Sequence, residues 1–212
     1  MNSDINRVMK EKTDYELIKI ITTLREEYQQ DAIRAAEEEI ERRNLFKDNL
    51  EKNELRLDDE ILLDGPICIY SNEENLNKDL EWFRESGYTV YDFDTSVWTA
   101  EIAHQEFKSE MGFPQYYGNN LDAFDECLSD MYKDNYIGQV IVFRHFDKFR
   151  ESDERFCNTI LEIIADQSWT WLVSFHKLIG IIQVDNRKFL APRIGGNFMP
   201  RWGANDPNRK RF

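Results

Sequence analysis

The sequence predicts an α/β protein: a small, mostly parallel β-sheet flanked by helices, with an N-terminal helical hairpin. Three observations predict it. Short runs rich in β-formers, at 66–70, 88–93, 138–144 and 169–175, alternate with stretches of helical apolar spacing. Strands that alternate with helices build parallel sheets through right-handed crossovers. The run Gly138-Gln139-Val140-Ile141-Val142-Phe143-Arg144 is nearly continuously apolar, which fits a strand covered on both faces. Finally, 41% of the 212 residues are hydrophobic and 13% aromatic, enough to fill a core despite a net charge of −14.

In chain order, Thr13-Asp14-Tyr15-Glu16 is a capping box that opens a helix with Tyr15, Leu17, Ile18, Ile21 and Leu24 on its apolar side. A second helix, from about Gln30 to Arg43, places Ala32, Ile33, Ala36 and Ile40 on one face. This hairpin, residues 1–46, is too small to be stable alone. Residues 47–63 are charge-rich without a clear period and read as a linker. The main domain, 64–190, opens with the strand Pro66–Tyr70. Ser71-Asn72 can then cap a helix over Glu73–Glu85, which Gly87 ends. Tyr88–Phe93 is the second strand, Thr99–Met111 a helix, and Gly138–Arg144 the third strand. A helix over Glu151–Ser168 leads to a fourth strand at Trp169–Phe175, and Leu178–Val184 can supply a fifth. The stretch 191–212 is a basic tail. It reads either as mobile or, because of Phe189, Phe198 and Trp202, as partly packed down or laid over an acidic face.

Charge narrows the function. Residues 61–180 carry 9 basic and 22 acidic side chains, a net −13. Such a domain repels nucleic-acid phosphates and attracts basic proteins. Cys68, Cys127 and Cys157 are odd in number, widely spaced and set among apolar residues, which fits buried free thiols in a reducing cytoplasm. The start Met1-Asn2-Ser3-Asp4 has no basic and apolar leader pattern, and no apolar run approaches a membrane span. His104, His145 and His176 are isolated, so no metal is expected, and His104 reads as a structural or surface histidine. No phosphate-cradling glycine loop or nucleophile elbow is present, and no cofactor is implied.

One stretch organises the rest. Pro114 ends the preceding helix, and Gly118 and Asn119 supply a turn because both tolerate positive φ. Asn120 caps a new helix whose Leu121, Phe124, Leu128 and Met131 form one apolar stripe. The other side carries Asp122, Asp125 and Glu126, with Tyr116 and Tyr117 at its rim. From charge alone this is a solvated face.

The run Phe113-Pro114-Gln115-Tyr116-Tyr117-Gly118-Asn119-Asn120-Leu121-Asp122-Ala123-Phe124, continuing to Cys127-Leu128, resembles the signature of the barstar family of ribonuclease inhibitors. The resemblance extends over about residues 88 to 183, with His104-Gln105-Glu106-Phe107 fitting upstream. It implies a small parallel sheet with packed helices, preceded here by an added strand–helix unit. It also implies an inhibitor, not an enzyme: a rigid acidic helix that plugs a ribonuclease active site and pairs with its cations. By the motif, Asp122 and Glu126 match the two helix aspartates that enter the nuclease site, and Tyr116, Tyr117, Gly118, Asn120 and Leu121 match the binding loop. Glu126 departs from the aspartate of the best-known members, and Asp125 stands where a bulky aromatic is found, so a different nuclease is implied. Asp166 aligns with a contact glutamate, without a distinctive motif around it.

The expected partner is therefore a basic ribonuclease or nuclease toxin, the chain a monomeric, cytoplasmic, bacterial immunity protein. Two alternatives stand beside this one. The first is an interaction protein for another basic partner. The second is a hydrolase using Asp122 and Glu126 as an acid–base pair, disfavoured because nothing separates their environments.

Overall fold

The computed structural model describes residues 2–21, 28–43, 56–131, 137–195, 198–203 and 206–209. Leu24, residues 47–55 of the predicted linker and the terminal Lys210-Arg211 lie outside them, as do the side chains of Tyr15 and Ile18, while residues 57–63 of that linker fall in a helix. The chain divides into two units, Met1–Arg56 and Leu57–Phe212.

The first unit contains α1 (Asn2–Glu11), α2 (Asp14–Ile21) and α3 (Gln30–Arg42). α1 precedes the helices that the sequence predicts, and among its described side chains Met9 is the buried apolar anchor. Met9, Leu17, Ile20, Ile33, Ala36 and Ile40 make a core of their own. The capping box forms: the Thr13 amide donates to Glu16 Oε2 at 2.8 Å and the Glu16 amide to Thr13 Oγ1 at 3.3 Å. Glu39, buried in the same core, accepts from Arg42 Nε at 2.7 Å and Arg43 Nε at 2.7 Å. Arg43 in turn donates to the Lys10 and Lys12 carbonyls, tying α3 to the end of α1.

The second unit runs α4 (Leu57–Asp64), β1 (Ile67–Tyr70), α5 (Glu73–Glu85), β2 (Thr89–Asp94), α6 (Ala100–Glu110), α7 (Leu121–Asp130), β3 (Gly138–Arg144), α8 (Phe146–Ser152), α9 (Glu154–Val173), β4 (Lys177–Gln183) and β5 (Arg201–Trp202). The sheet has the order β2-β3-β4-β1-β5 and every pairing is parallel. Residues alternate between its faces. Ile141, Phe143 and Ile182 point into a core with Phe107, Phe124, Phe149 and Ile160 from α6 to α9. Val140, Val142, Ile179 and Ile181 point the other way, to Leu76, Leu80 and Phe83 of α5. The whole of β3 but its last residue is buried, as its continuous apolarity requires.

Two elements differ from expectation. The run Trp169–Phe175 is not a strand but the last turns of α9. Ser168 and Trp171 are buried while Trp169 and Val173 are exposed, which continues the helical period of Ile160 and Ile164. β-propensity yields here to packing on the sheet. Trp169 is thus 53% exposed. The helix ends where Phe175 turns left-handed at φ 60. Its amide donates to the Leu172 carbonyl, and that of His176 to the Trp171 carbonyl, both at 3.0 Å, a Schellman arrangement with phenylalanine in the usual glycine place. The fourth strand is then Lys177–Gln183, and the fifth comes from the tail, where Arg201–Trp202 add to the β1 edge. Two cations of the tail, Arg201 and Arg209, pair with Asp64 of α4.

Candidate partner-binding face

Residues 111–120 turn the chain from α6 into α7. The Phe113 amide bonds back to the Lys108 carbonyl at 3.1 Å, and the Tyr117 amide to the Pro114 carbonyl at 2.9 Å, closing a tight turn. Lys108 Nζ pins the turn from outside through the Gln115 carbonyl at 2.9 Å. The predicted pair of rim tyrosines divides. Tyr116 is 87% exposed, whereas Tyr117 is buried. Tyr117 packs at a tilt against Phe113 and hydrogen-bonds His104 Nδ1 on α6. Burial depresses the imidazole's basicity and pushes the phenol's pKa up, so the pair is neutral at pH 7. Tyr117 is thus the anchor that holds Tyr116 outward, and His104 is structural.

Asn119 takes the left-handed conformation at φ 48. Gly118 is needed for another reason than φ: a Cβ there would meet Asn120 Nδ2 at 2.9 Å. Asn120 is extended, its Oδ1 accepts from the Ala123 amide at 2.8 Å, and its Nδ2 donates to the Gly118 carbonyl at 3.2 Å. One side chain therefore caps α7 and ties it to the loop. Phe124 and Leu128 are fully buried beneath the helix and Leu121 is half-buried.

Three carboxylates of α7, Asp122, Asp125 and Glu126, are not equivalent. Asp122 and Glu126 are exposed. Among the described residues no cation lies within ion-pair distance of either, or of Asp166, which is exposed on α9. Asp125 is half-buried and accepts from Gln167 Nε2 of α9 at 2.6 Å. It braces α7 against α9, a role that no spacing in the sequence announces, because its partner is 42 residues away. The field of the acidic face is felt beside it: burial first, then Asp130 and Glu126, raise the Cys127 thiol above its usual pKa.

The arrangement offers a ligand two unneutralised carboxylates and an exposed tyrosine on a capped, packed helix. Among the described residues no group of three or more His, Cys, Asp or Glu side chains could hold a metal, and no helix is long and apolar enough to cross a membrane.

Fold and face together define a small α/β protein with exposed carboxylates on a capped helix packed on its core. Residues 78–184, just over half of the chain, match the family described as Barstar (barnase inhibitor), so the chain belongs to the barstar family. The matched span contains α6, the loop, α7 and strands β2 to β4. A protein of Bacillus subtilis (strain 168), "Putative ribonuclease inhibitor YrdF", is 29% identical over 66 residues, 31% of this chain and 69% of that one.

Proposed function

We propose that this protein binds a barnase-like ribonuclease and blocks its active site with the α7 carboxylates and the Tyr116 loop, as an immunity protein does for a nuclease toxin. The carrying observation is that, among the described residues, no cation pairs with Asp122 or Glu126, while their helix is capped by Asn120 and seated on Phe124 and Leu128. Leaving them so costs like-charge repulsion in the free protein. Pairing them with an enzyme's arginines, lysines and histidines removes that cost and adds charge-assisted hydrogen bonds. The same carboxylates occupy the ground that RNA phosphates take. Tyr117, Gly118, Asn120, Leu121 and Asp125 act by holding the surface, and Asp166 extends its acidic rim. Glu126 and the inward-tied Asp125 favour a nuclease of its own over the family's best-known target. Asp122 and Glu126 share one open environment, so no acid–base chemistry is assigned to them.

The test is titration of the purified chain against a panel of barnase-like ribonucleases, with RNA cleavage as readout. The expected result is loss of cleavage at one-to-one stoichiometry with at least one member. Full cleavage throughout, with no complex on gel filtration, would retire the reading.

A further inference from the structure

Residues 186–193 follow β4 at the carboxyl end of the parallel sheet, and they carry three cations and no acid: Arg187, Lys188 and Arg193. All three are exposed, and among the described residues no carboxylate lies within ion-pair distance of them. Leu190 stands among them, 80% exposed. The acids next to the loop are engaged. Asp185 pairs with His145 and Lys148, and Asp147 accepts from the Asp185 and Asn186 amides. The loop itself is packed. The Phe189 amide closes a turn on the Asn186 carbonyl at 2.9 Å, and the Phe189 ring lies between Phe146 of α8 and the Arg150 guanidinium. The loop after β2 leaves the same end of the sheet and is fixed to the same helix. Its Trp98 packs against Phe149, and the Trp98 carbonyl accepts from Ser152 Oγ at 3.0 Å. It holds Val97 77% exposed.

We infer that this end of the molecule rests on an anionic lipid surface, with Leu190 and Val97 entering the interface and Arg187, Lys188 and Arg193 meeting the headgroup phosphates. No residue of α7 takes part, so the inference does not rest on the inhibitor reading. The chemistry selects the occupant. Cations that a packed loop leaves unneutralised call for an anion from outside. A nucleic-acid backbone would use the cations, but it gains nothing from an exposed leucine and valine. The loop's one aromatic ring, Phe189, is packed on Phe146 and covered by Arg150, not offered to a base for stacking. A bilayer interface uses both kinds of side chain: headgroups take the cations and the acyl boundary takes the aliphatics. The acidity of the domain does not forbid the contact. At physiological salt charge is screened beyond about 8 Å, so the charges that meet the surface are those of the loop. The attachment is weak and reversible, far short of a spanning helix.

The test is co-sedimentation of the full chain with vesicles of phosphatidylcholine, alone or mixed in equal parts with phosphatidylglycerol, at low and high salt. Binding is expected to the mixed vesicles only, fading as salt rises. Arg187→Ser combined with Lys188→Ser should weaken it roughly tenfold or more, since each cation near such a surface is worth about fivefold. Leu190→Ser should weaken it about threefold or more through lost apolar burial. These side chains are exposed, so the melting temperature should hold in both variants. No binding to either vesicle, or equal binding to both, overturns the proposal. Unchanged binding in the Arg187 and Lys188 variant overturns it too, because the contact would then lie elsewhere on the chain. If a fluorescent single-stranded RNA binds as tightly as the mixed vesicles and Leu190→Ser changes neither, the loop is a nucleic-acid face and the lipid reading falls.

Discussion

The second unit contains two acidic helices, α4 and α7, and the molecule treats their charge in opposite ways. In α4 every carboxylate has a partner. Asp58, fully buried, accepts from the Tyr88 hydroxyl at 2.6 Å and from Lys177 Nζ at 2.7 Å. Asp59 shares Lys177, Glu60 pairs with Arg209, and Asp64 pairs with Arg201 and Arg209. Those pairs join the helix to β4 and to the chain's end, so the acid of α4 is structural. In α7 Asp125 is tied to an amide, and among the described residues no cation pairs with Asp122 or Glu126, which face solvent. The difference teaches that acidity by itself says little about function. What marks a binding face is charge that the fold holds rigidly and does not neutralise.

The largest effect expected from this comparison is on binding. Asp122→Ala and Glu126→Ala each strand cationic groups of the nuclease in a desolvated contact, at about 2–5 kcal/mol. That is roughly 30-fold or more in affinity. Binding and thermal melts on the same samples check it. The melting temperature should hold, and variants that bind as well as the parent would make α7 another solvated helix.

The mirror experiment is on α4. Lys177→Met removes the cation from buried Asp58 and from Asp59, and an uncompensated buried carboxylate is strongly destabilising, at about 3 kcal/mol for this partly exposed lysine. For a chain of this size the melting temperature should drop by roughly 6–12 °C. Once folded, the variant should inhibit like the parent. A loss of affinity without a loss of stability would reverse the roles assigned to the two helices.

Glu39 in the first unit sharpens the same contrast with pH. The Arg42 and Arg43 guanidiniums hold its carboxyl down to about 2, against burial pushing the other way. The folded pKa lies below the unfolded one, so the stability is fully present above the usual carboxylate range, near pH 4.5, and is lost as pH falls toward 2. The amide signals of α3 should therefore weaken through that window, and Glu39→Gln should flatten the dependence and lower stability at neutral pH. A parent insensitive to acid across pH 4.5 to 2 contradicts the assignment.

Much of this was legible in the sequence because local signals and tertiary demands agreed. Asn72 and Asn120 cap where a capping residue precedes an apolar period, and β3 is buried along nearly its whole length where apolarity runs unbroken. The reading went astray where they conflict. Trp169–Phe175 has the composition of a strand, yet its burial follows the 3.6-residue period of the helix before it, and only the left-handed Phe175 marks the true end. At the site, the carboxylates could be placed outward from spacing alone. That Tyr117 turns inward could not, because it depends on His104, 13 residues earlier and on another helix. Nor could the cleft of about 420 Å³ beside α7, which exists only once α7, β2 and β3 are assembled.

The smallest expected effect separates repulsion from dipole within α7. Glu126 has like charges four residues away on both sides, Asp122 and Asp130. Each such pair costs about 0.2–0.5 kcal/mol on a helix surface. Glu126 sits in the helix middle, where the dipole gives little back, whereas Asp122 in the first turn is favoured by about 0.3–1 kcal/mol. Glu126→Gln, which keeps the shape, should therefore raise the melting temperature by about 1–3 °C. Asp122→Asn should leave it unchanged, since relief of one repulsion is offset by loss of the dipole term. Added salt should shrink the gain of Glu126→Gln, because these side chains are exposed to screening. Parallel melts of the three proteins at two salt concentrations check the sign. A lower melting temperature for Glu126→Gln would mean that the fold itself satisfies this carboxylate, and the contrast between α4 and α7 would no longer hold.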